Sequence, residues 1–241
     1  MNFDGIVSLL IACIEWILLF NLLIFVKKDK VNIIALIMIA LLAGYQTMEF
    51  LMCNVGLTNP VFPYIAFLII SYLPPLNLIL VLHLTKKLNL NKKIFLLFIP
   101  ALFFSIYYLF LIPQFEVAKC TVLYASYHYP LGDLYGFFYY LPILVSMIML
   151  TKVIHKTEDK KNKLIYKVLL YSTIFISLPV AAGFALMFAG SYIIISSMES
   201  IMCKFAFVYA LSLSFITLYN SPFKDERNYF KYLSGNKQWN S

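Results

Sequence analysis

Three charged side chains, Glu15, Glu49 and Lys204, stand inside long apolar runs of this chain. Charges in apolar spans are costly and mark functional positions by default. With a helical rise of about 1.5 Å per residue, Glu15 lies about 16 Å, Lys204 about 23 Å and Glu49 about 27 Å from the inner ends of their runs. Lys204 and Glu49 are therefore at similar heights. A Lys204–Glu49 or Lys204–Glu15 pair is expected if the helices close into a ring. Two readings of such a pair stand side by side: a salt bridge that fixes helix packing, or the polar floor of a pocket open to the outside. Asn77, two residues beyond Pro74-Pro75, joins these three as a pocket-floor candidate and is placed to satisfy backbone groups that the prolines free.

Cys53 and Cys120 both fall toward the outer side, so a disulfide tying the long outer connection over the bundle is one expectation and two free thiols the other. Cys13 and Cys203 read as buried small residues. The chain holds no HExxH, GxSxG, Walker or CxxC sequence. Each of these would be the signature of a specific catalytic or metal chemistry. His83, His128 and His155 fall at different depths and do not form one metal site. No catalytic activity, metal or cofactor is expected.

The elements that position these residues follow from composition. The chain has 241 residues, 62% of them hydrophobic and only 12% charged, whereas globular chains run at about 45–50% apolar and about 25% charged. Lipid must serve as part of the solvent. Apolar runs place seven spans at 5–26, 31–53, 61–85, 94–112, 134–153, 164–189 and 194–219. At about 20 residues each they occupy roughly 140 positions, which leaves short loops and one short tail. The expected fold is an all-α, seven-transmembrane helix bundle over 1–222 with a cytoplasmic tail at 223–241, in the cell membrane. The first span is not a cleavable signal peptide, because an acid precedes it and no small-residue cleavage site follows.

Topology also accounts for the net charge of +8, without nucleic acid. If the chain crosses seven times, seventeen of its 19 basic residues share one side; Lys119 lies opposite and Lys204 lies within span seven. The positive-inside rule then puts the N-terminus outside and the C-terminus in the cytoplasm. Pro74-Pro75, Pro100, Pro142 and Pro179 interrupt spans three to six, where each removes a backbone donor and can kink its helix. Tyr107, Tyr108, Tyr135, Phe137, Phe138, Tyr139 and Tyr140 crowd the outer ends of spans four and five, as an aromatic belt or as a pocket lining. The longest outer connection, 113–133, contains an alternating stretch, Thr121 to Tyr129, that reads as a strand or hairpin arm, or else as an irregular lid. No internal repeat is visible.

The stretches Ser71-Tyr-Leu-Pro-Pro-Leu-Asn through His83-Leu-Thr85, Ile99-Pro-Ala-Leu-Phe103, the Pro179 region, and Met198-Glu-Ser-Ile-Met-Cys-Lys204 through Asn220-Ser-Pro222 resemble the seven-helix N-terminal sensor region of bacterial membrane histidine kinases. The resemblance implies an input module for an extracytoplasmic or membrane-borne signal. In that family the helices lead into phospho-acceptor and ATP-binding domains. Here about 20 residues follow span seven, so the output is expected from a missing transmitter or from a partner. The expected function is a membrane sensor or receptor without catalysis of its own, taking an unknown small or lipophilic ligand. A cytoplasmic kinase or regulator would contact 223–238, or that basic, aromatic tail would lie on anionic lipid.

Lys204 also invites comparison with microbial rhodopsins, whose retinal-bearing lysine lies in span seven. Against this, span three has no carboxylate near Pro74-Pro75 and span six has no tryptophan. A transporter or channel would need a polar path through the inner half of the bundle, and the sequence offers none.

Overall fold

The computed structural model describes residues 4–85, 92–123, 125–188 and 198–220. Lys86, Lys87 and the whole 223–238 tail, on which the partner expectation rests, lie outside the described residues. Long apolar runs become helices because a backbone away from water must satisfy its own hydrogen bonds. They form α1 (Ile6–Phe25), α2 (Lys30–Cys53), α3 (Val61–Ser71), α4 (Leu73–Leu84), α5 (Ile99–Leu109), α6 (Gly132–Lys156), α7 (Lys160–Phe188) and α8 (Met198–Asn220). Among the described residues six helical stretches are long and apolar enough to cross a membrane, with α3 and α4 counted as one; Phe95–Leu109 is apolar but shorter.

That shorter segment departs from the single helical span expected at 94–112. Lys92–Phe98 winds as a 3₁₀ helix, and α5 begins only at Ile99, with Pro100 in its first turn. Proline is tolerated there because the first N–H groups of a helix have no intrahelical partner. Pro100 therefore starts a helix instead of kinking one. Pro74-Pro75 splits the third run at Tyr72, where the Ile70 carbonyl, deprived of a donor by Pro74, accepts the Tyr72 N–H instead. Pro142 and Pro179 lie inside continuous helices, α6 and α7.

The bundle has two ends. At one, the Tyr166 hydroxyl donates to the Leu84 carbonyl at 2.9 Å, and Asn220 Nδ2 donates to Asp29 Oδ2 at 3.3 Å. This end gathers the last turn of α4, the first turns of α2 and α7 and the end of α8. Asp29 caps α2 by accepting the Asn32 N–H at 2.8 Å, which satisfies one of the unpaired N-terminal donors. The other end carries a hairpin of β1 (Glu116–Cys120) and β2 (Ala125–His128), antiparallel, with Glu116 opposite His128, Cys120 opposite Ala125 and a bulge between Val117 and Lys119. The hairpin thus starts upstream of the alternating stretch that suggested a strand, and of the described residues of that stretch 125–128 are strand.

Gly5 fits this end together. Its φ of +73° is left-handed, and a Cβ there would stand 3.1 Å from the Cys53 Cβ. Its N–H donates to the Thr121 carbonyl at 3.0 Å, so α1, the end of α2 and the hairpin meet where a side chain would not fit. The main core, with Ala35, Ile39, Leu42, Leu80, Leu169, Ala210 and Leu213 buried, runs among α2, α4, α7 and α8. Leu10, Ile17, Phe20 and Ile24 of α1 point outward.

A second, aromatic core lies under the hairpin. Phe67 touches the rings of Tyr108, Phe115, Tyr129 and Tyr135 at centroid distances of 4.7, 5.7, 5.5 and 4.5 Å. Tyr108, Tyr135 and Tyr139 are buried, whereas Phe137 and Phe138 are exposed. The crowd of aromatics is therefore divided. Some rings belong to the core, their hydroxyls anchored as by Tyr108 donating to the Pro130 carbonyl at 2.6 Å, and only part faces outward as a belt would.

Candidate functional site

Buried polar residues from α1, α2 and α8 converge around Lys204. On α2, Gln46, Glu49 and Cys53 follow one another at helical spacing on a single buried face. On α8, Ser200 and Lys204 are one turn apart, and α1 supplies Ser8. Lys204 Nζ donates to Glu49 Oε1 at 2.7 Å, to Gln46 Oε1 at 2.7 Å and to Ser8 Oγ at 2.8 Å. An ammonium has three donors, and all three are used. Ser8 in turn donates to Glu49 Oε1 at 3.0 Å, and Ser200 donates to Glu49 Oε2 at 2.9 Å. Gln46 Nε2 donates to the Cys203 carbonyl at 2.8 Å, which locks its amide with the oxygen toward Lys204. The Glu49 side chain is 1% exposed and that of Lys204 13%. Such a pair is stabilised only when its remaining valences are satisfied, and here both oxygens of the carboxylate are engaged.

The hairpin enters the same network twice. Cys53 and Cys120 form a disulfide, with their Cα atoms 5.5 Å apart, that ties the end of α2 to β1. Across the ladder from Cys120, Ala125 donates its N–H to Ser200 Oγ at 3.0 Å. Ser200 thus accepts from the hairpin and donates to Glu49. A closed ring results: disulfide, strand pair, Ser200, Glu49, and one turn of α2 back to Cys53.

Of the residues singled out from sequence, Glu49 and Lys204 are brought together, as are Cys53 and Cys120. Glu15 is not part of the hydrogen-bonded network. It is completely buried on α1, and neither carboxylate oxygen has a partner among the described residues. Asn77 stands elsewhere. Its Oδ1 accepts from the Tyr209 hydroxyl at 2.7 Å, joining α4 to α8 instead of repairing the proline break. Asn77 and Tyr209 line a cavity of about 30 Å³ with Met38, Pro74, Tyr139 and Cys203. That volume takes about two waters, and neither Lys204 nor Glu49 lines it. The pocket-floor quartet is thus divided into an ion-pair network, a solitary acid and a separate interhelical bond.

Ser8, Gln46 and Ser200 were not evident from sequence. Their signal was spacing: each falls on the same helical face as a charge already singled out. Chemically the site offers no nucleophile poised beside a base, since Lys204 is saturated and the serines hydrogen-bond a carboxylate. Among the described residues no group of His, Cys, Asp and Glu side chains could hold a metal. No known protein family, curated protein or solved structure matches the chain.

Proposed function

We propose that this chain is a multi-pass membrane receptor subunit that senses an extracytoplasmic event at the hairpin and transmits it through α8, without catalysis of its own. The observation that carries this reading is the bond from Ala125 to Ser200 and on to Glu49 and Lys204. It connects a disulfide-held surface element to a buried charge pair on the helix that leads to the opposite end of the bundle. A displaced hairpin changes what Glu49 holds, and a ligand shifts such an equilibrium by its differential affinity for the two arrangements.

In this reading the hairpin end is outside and the Lys-rich end is cytoplasmic. The segment from Lys92 to Leu109 crosses as well, giving seven spans. The likeness of the chain to histidine-kinase sensor regions fits this role, with the signal passed to a cytoplasmic kinase or regulator at 223–238. Carriage of a solute is less well supported, because the interhelical cavity beside Asn77 and Tyr209 holds about two waters. Retinal binding through Lys204 is opposed by the saturation of its amine.

Photo-crosslinking from positions 223–238 in cells tests the reading. We expect a discrete protein adduct whose yield changes in the Ser200→Ala variant. Adducts with lipid alone, or a protein adduct indifferent to Ser200→Ala, would overturn it.

A further inference from the structure

We infer that Glu15 is a proton-binding site, and that its proton decides whether Lys204 is held by Glu49 alone or shared between two carboxylates. Ser8, Ile11, Ala12 and Glu15 form the buried face of α1, with Ser8 and Glu15 two turns apart. Helical side chains lean toward the N-terminus of their helix. The Glu15 carboxyl therefore reaches over the Ile11–Ala12 turn toward Ser8, which already bonds Lys204. Ser8 is thus the link between the Glu15 side of α1 and the Lys204 ammonium.

The charge balance follows from the hydrogen bonds. All three Lys204 donors are committed, and Glu49 takes the direct charge contact. One ammonium and one carboxylate leave the cluster neutral. A second carboxylate at Glu15, fully buried and without a partner, would leave it with an uncompensated negative charge in apolar surroundings, which a buried group avoids by taking up a proton. The arrangement described is thus the one with Glu15 protonated. When Glu15 gives up that proton, Lys204 is the cation left to be shared between Glu15 and Glu49. The elements packed against α1 are α2 and α8. Among described side chains, their buried titratable groups are Glu49 and Tyr45 on α2 and Lys204, Cys203 and Tyr209 on α8. None of these except Lys204 offers a positive charge. The inference holds whatever the hairpin senses.

Infrared spectroscopy of the full chain in lipid nanodiscs reads the proton through the C=O stretch of a protonated carboxylic acid. The wild type is expected to show this band at neutral pH, and Glu15→Gln to lose it while keeping the Cys53–Cys120 bond as a check on folding. In Glu49→Gln, Lys204 becomes the partner of Glu15, so the band is expected to vanish although Glu15 is untouched. In Lys204→Met, both carboxylates lose their cation and the band should grow to about twice its area. Absence of the band in wild type, or its survival in Glu15→Gln, would overturn the site. Survival in Glu49→Gln, or an unchanged area in Lys204→Met, would overturn the sharing of Lys204.

Discussion

Glu49 and Cys53 lie one turn apart on the buried face of α2, so the residue that holds Lys204 and the residue that holds the hairpin covalently move together. A small tilt or rotation of the α2 end displaces both. The hydrogen bond from Ala125 to Ser200 closes the same ring from the other side, which makes the hairpin and the buried pair one mechanical unit.

Removing the staple should loosen that unit. The disulfide closes a sequence separation of 67 residues, and crosslinks of this kind contribute about 2–4 kcal/mol. We expect Cys53→Ser and Cys120→Ser each to lower the thermal transition by a similar amount, and the double variant to cost no more than either single one. Thermal unfolding in detergent checks this. A double variant that costs the sum of the two singles would mean that the sulfurs act independently.

Breaking the ion pair from one side should be worse than removing it whole. Glu49→Ala takes from Lys204 the carboxylate it contacts directly and leaves Glu15 as the remaining counter-charge, at a cost of up to about 3–5 kcal/mol. Glu49→Leu combined with Lys204→Met should recover much of that loss. A double-mutant cycle by equilibrium unfolding measures the coupling, and additive costs would show that the 2.7 Å contact carries no energy of its own.

Ser200→Ala removes only the relay. Each such bond contributes about 1 kcal/mol, roughly a five-fold change in a local opening equilibrium. Hydrogen exchange at the Ala125 amide should accelerate by about that factor while the core of α2 keeps its protection. Unchanged exchange at Ala125 would place its acceptor elsewhere.

Gly5→Ala should disturb the same end by sterics. A left-handed φ costs an L-residue roughly 1–2 kcal/mol, and the new methyl group would press on the Cys53 Cβ at 3.1 Å. Slower formation of the Cys53–Cys120 bond, followed by thiol trapping during expression, is the expected result. An unaffected rate would show that the α1–α2 contact yields easily.

How much of this was legible in the sequence depends on the kind of signal. Glu49 and Lys204 were legible because a charge in an apolar run has few ways to be tolerated, and helical rise alone set them at one height. Ser8 and Ser200 were not, because a serine in a helix is commonly satisfied by its own backbone, as Ser71, Ser146 and Ser214 are by the carbonyls four residues before them. Type alone does not tell these serines from the two that serve Glu49. Glu116–Cys120 escaped notice as a strand because its exposure does not alternate. It is held by pairing and by the disulfide instead of by a buried face. Asn77 was read as a local repair of the Pro74-Pro75 break, but the repair is made by backbone at Tyr72, which frees Asn77 for a bond to Tyr209 that no local pattern announces.

The crossing of the fourth apolar segment is the remaining architectural prediction. Lys92–Phe98, seven residues of 3₁₀ helix, rises about 14 Å at about 2.0 Å per residue. Ile99–Leu109, eleven residues of α-helix, adds about 16 Å at about 1.5 Å per residue. Together they match the hydrocarbon thickness of about 30 Å, although neither would span alone. Their direction is set by contacts with α3 and the turn after it: Tyr72 meets Phe98 at 6.3 Å, and Phe67 meets Tyr108 at 4.7 Å, so the two segments run antiparallel. Single cysteines replacing the exposed Thr58, Leu123 and Asn162, introduced with Cys13→Ser and Cys203→Ser, report the sides. A membrane-impermeant maleimide should label positions 58 and 123 on intact cells and position 162 only after permeabilisation. Labelling of position 162 together with 58 on intact cells, with position 123 labelled only after permeabilisation, would mean that Lys92–Leu109 does not cross. The hairpin could then no longer share a compartment with Cys53, and the staple and the relay through Ser200 would fall with the crossing.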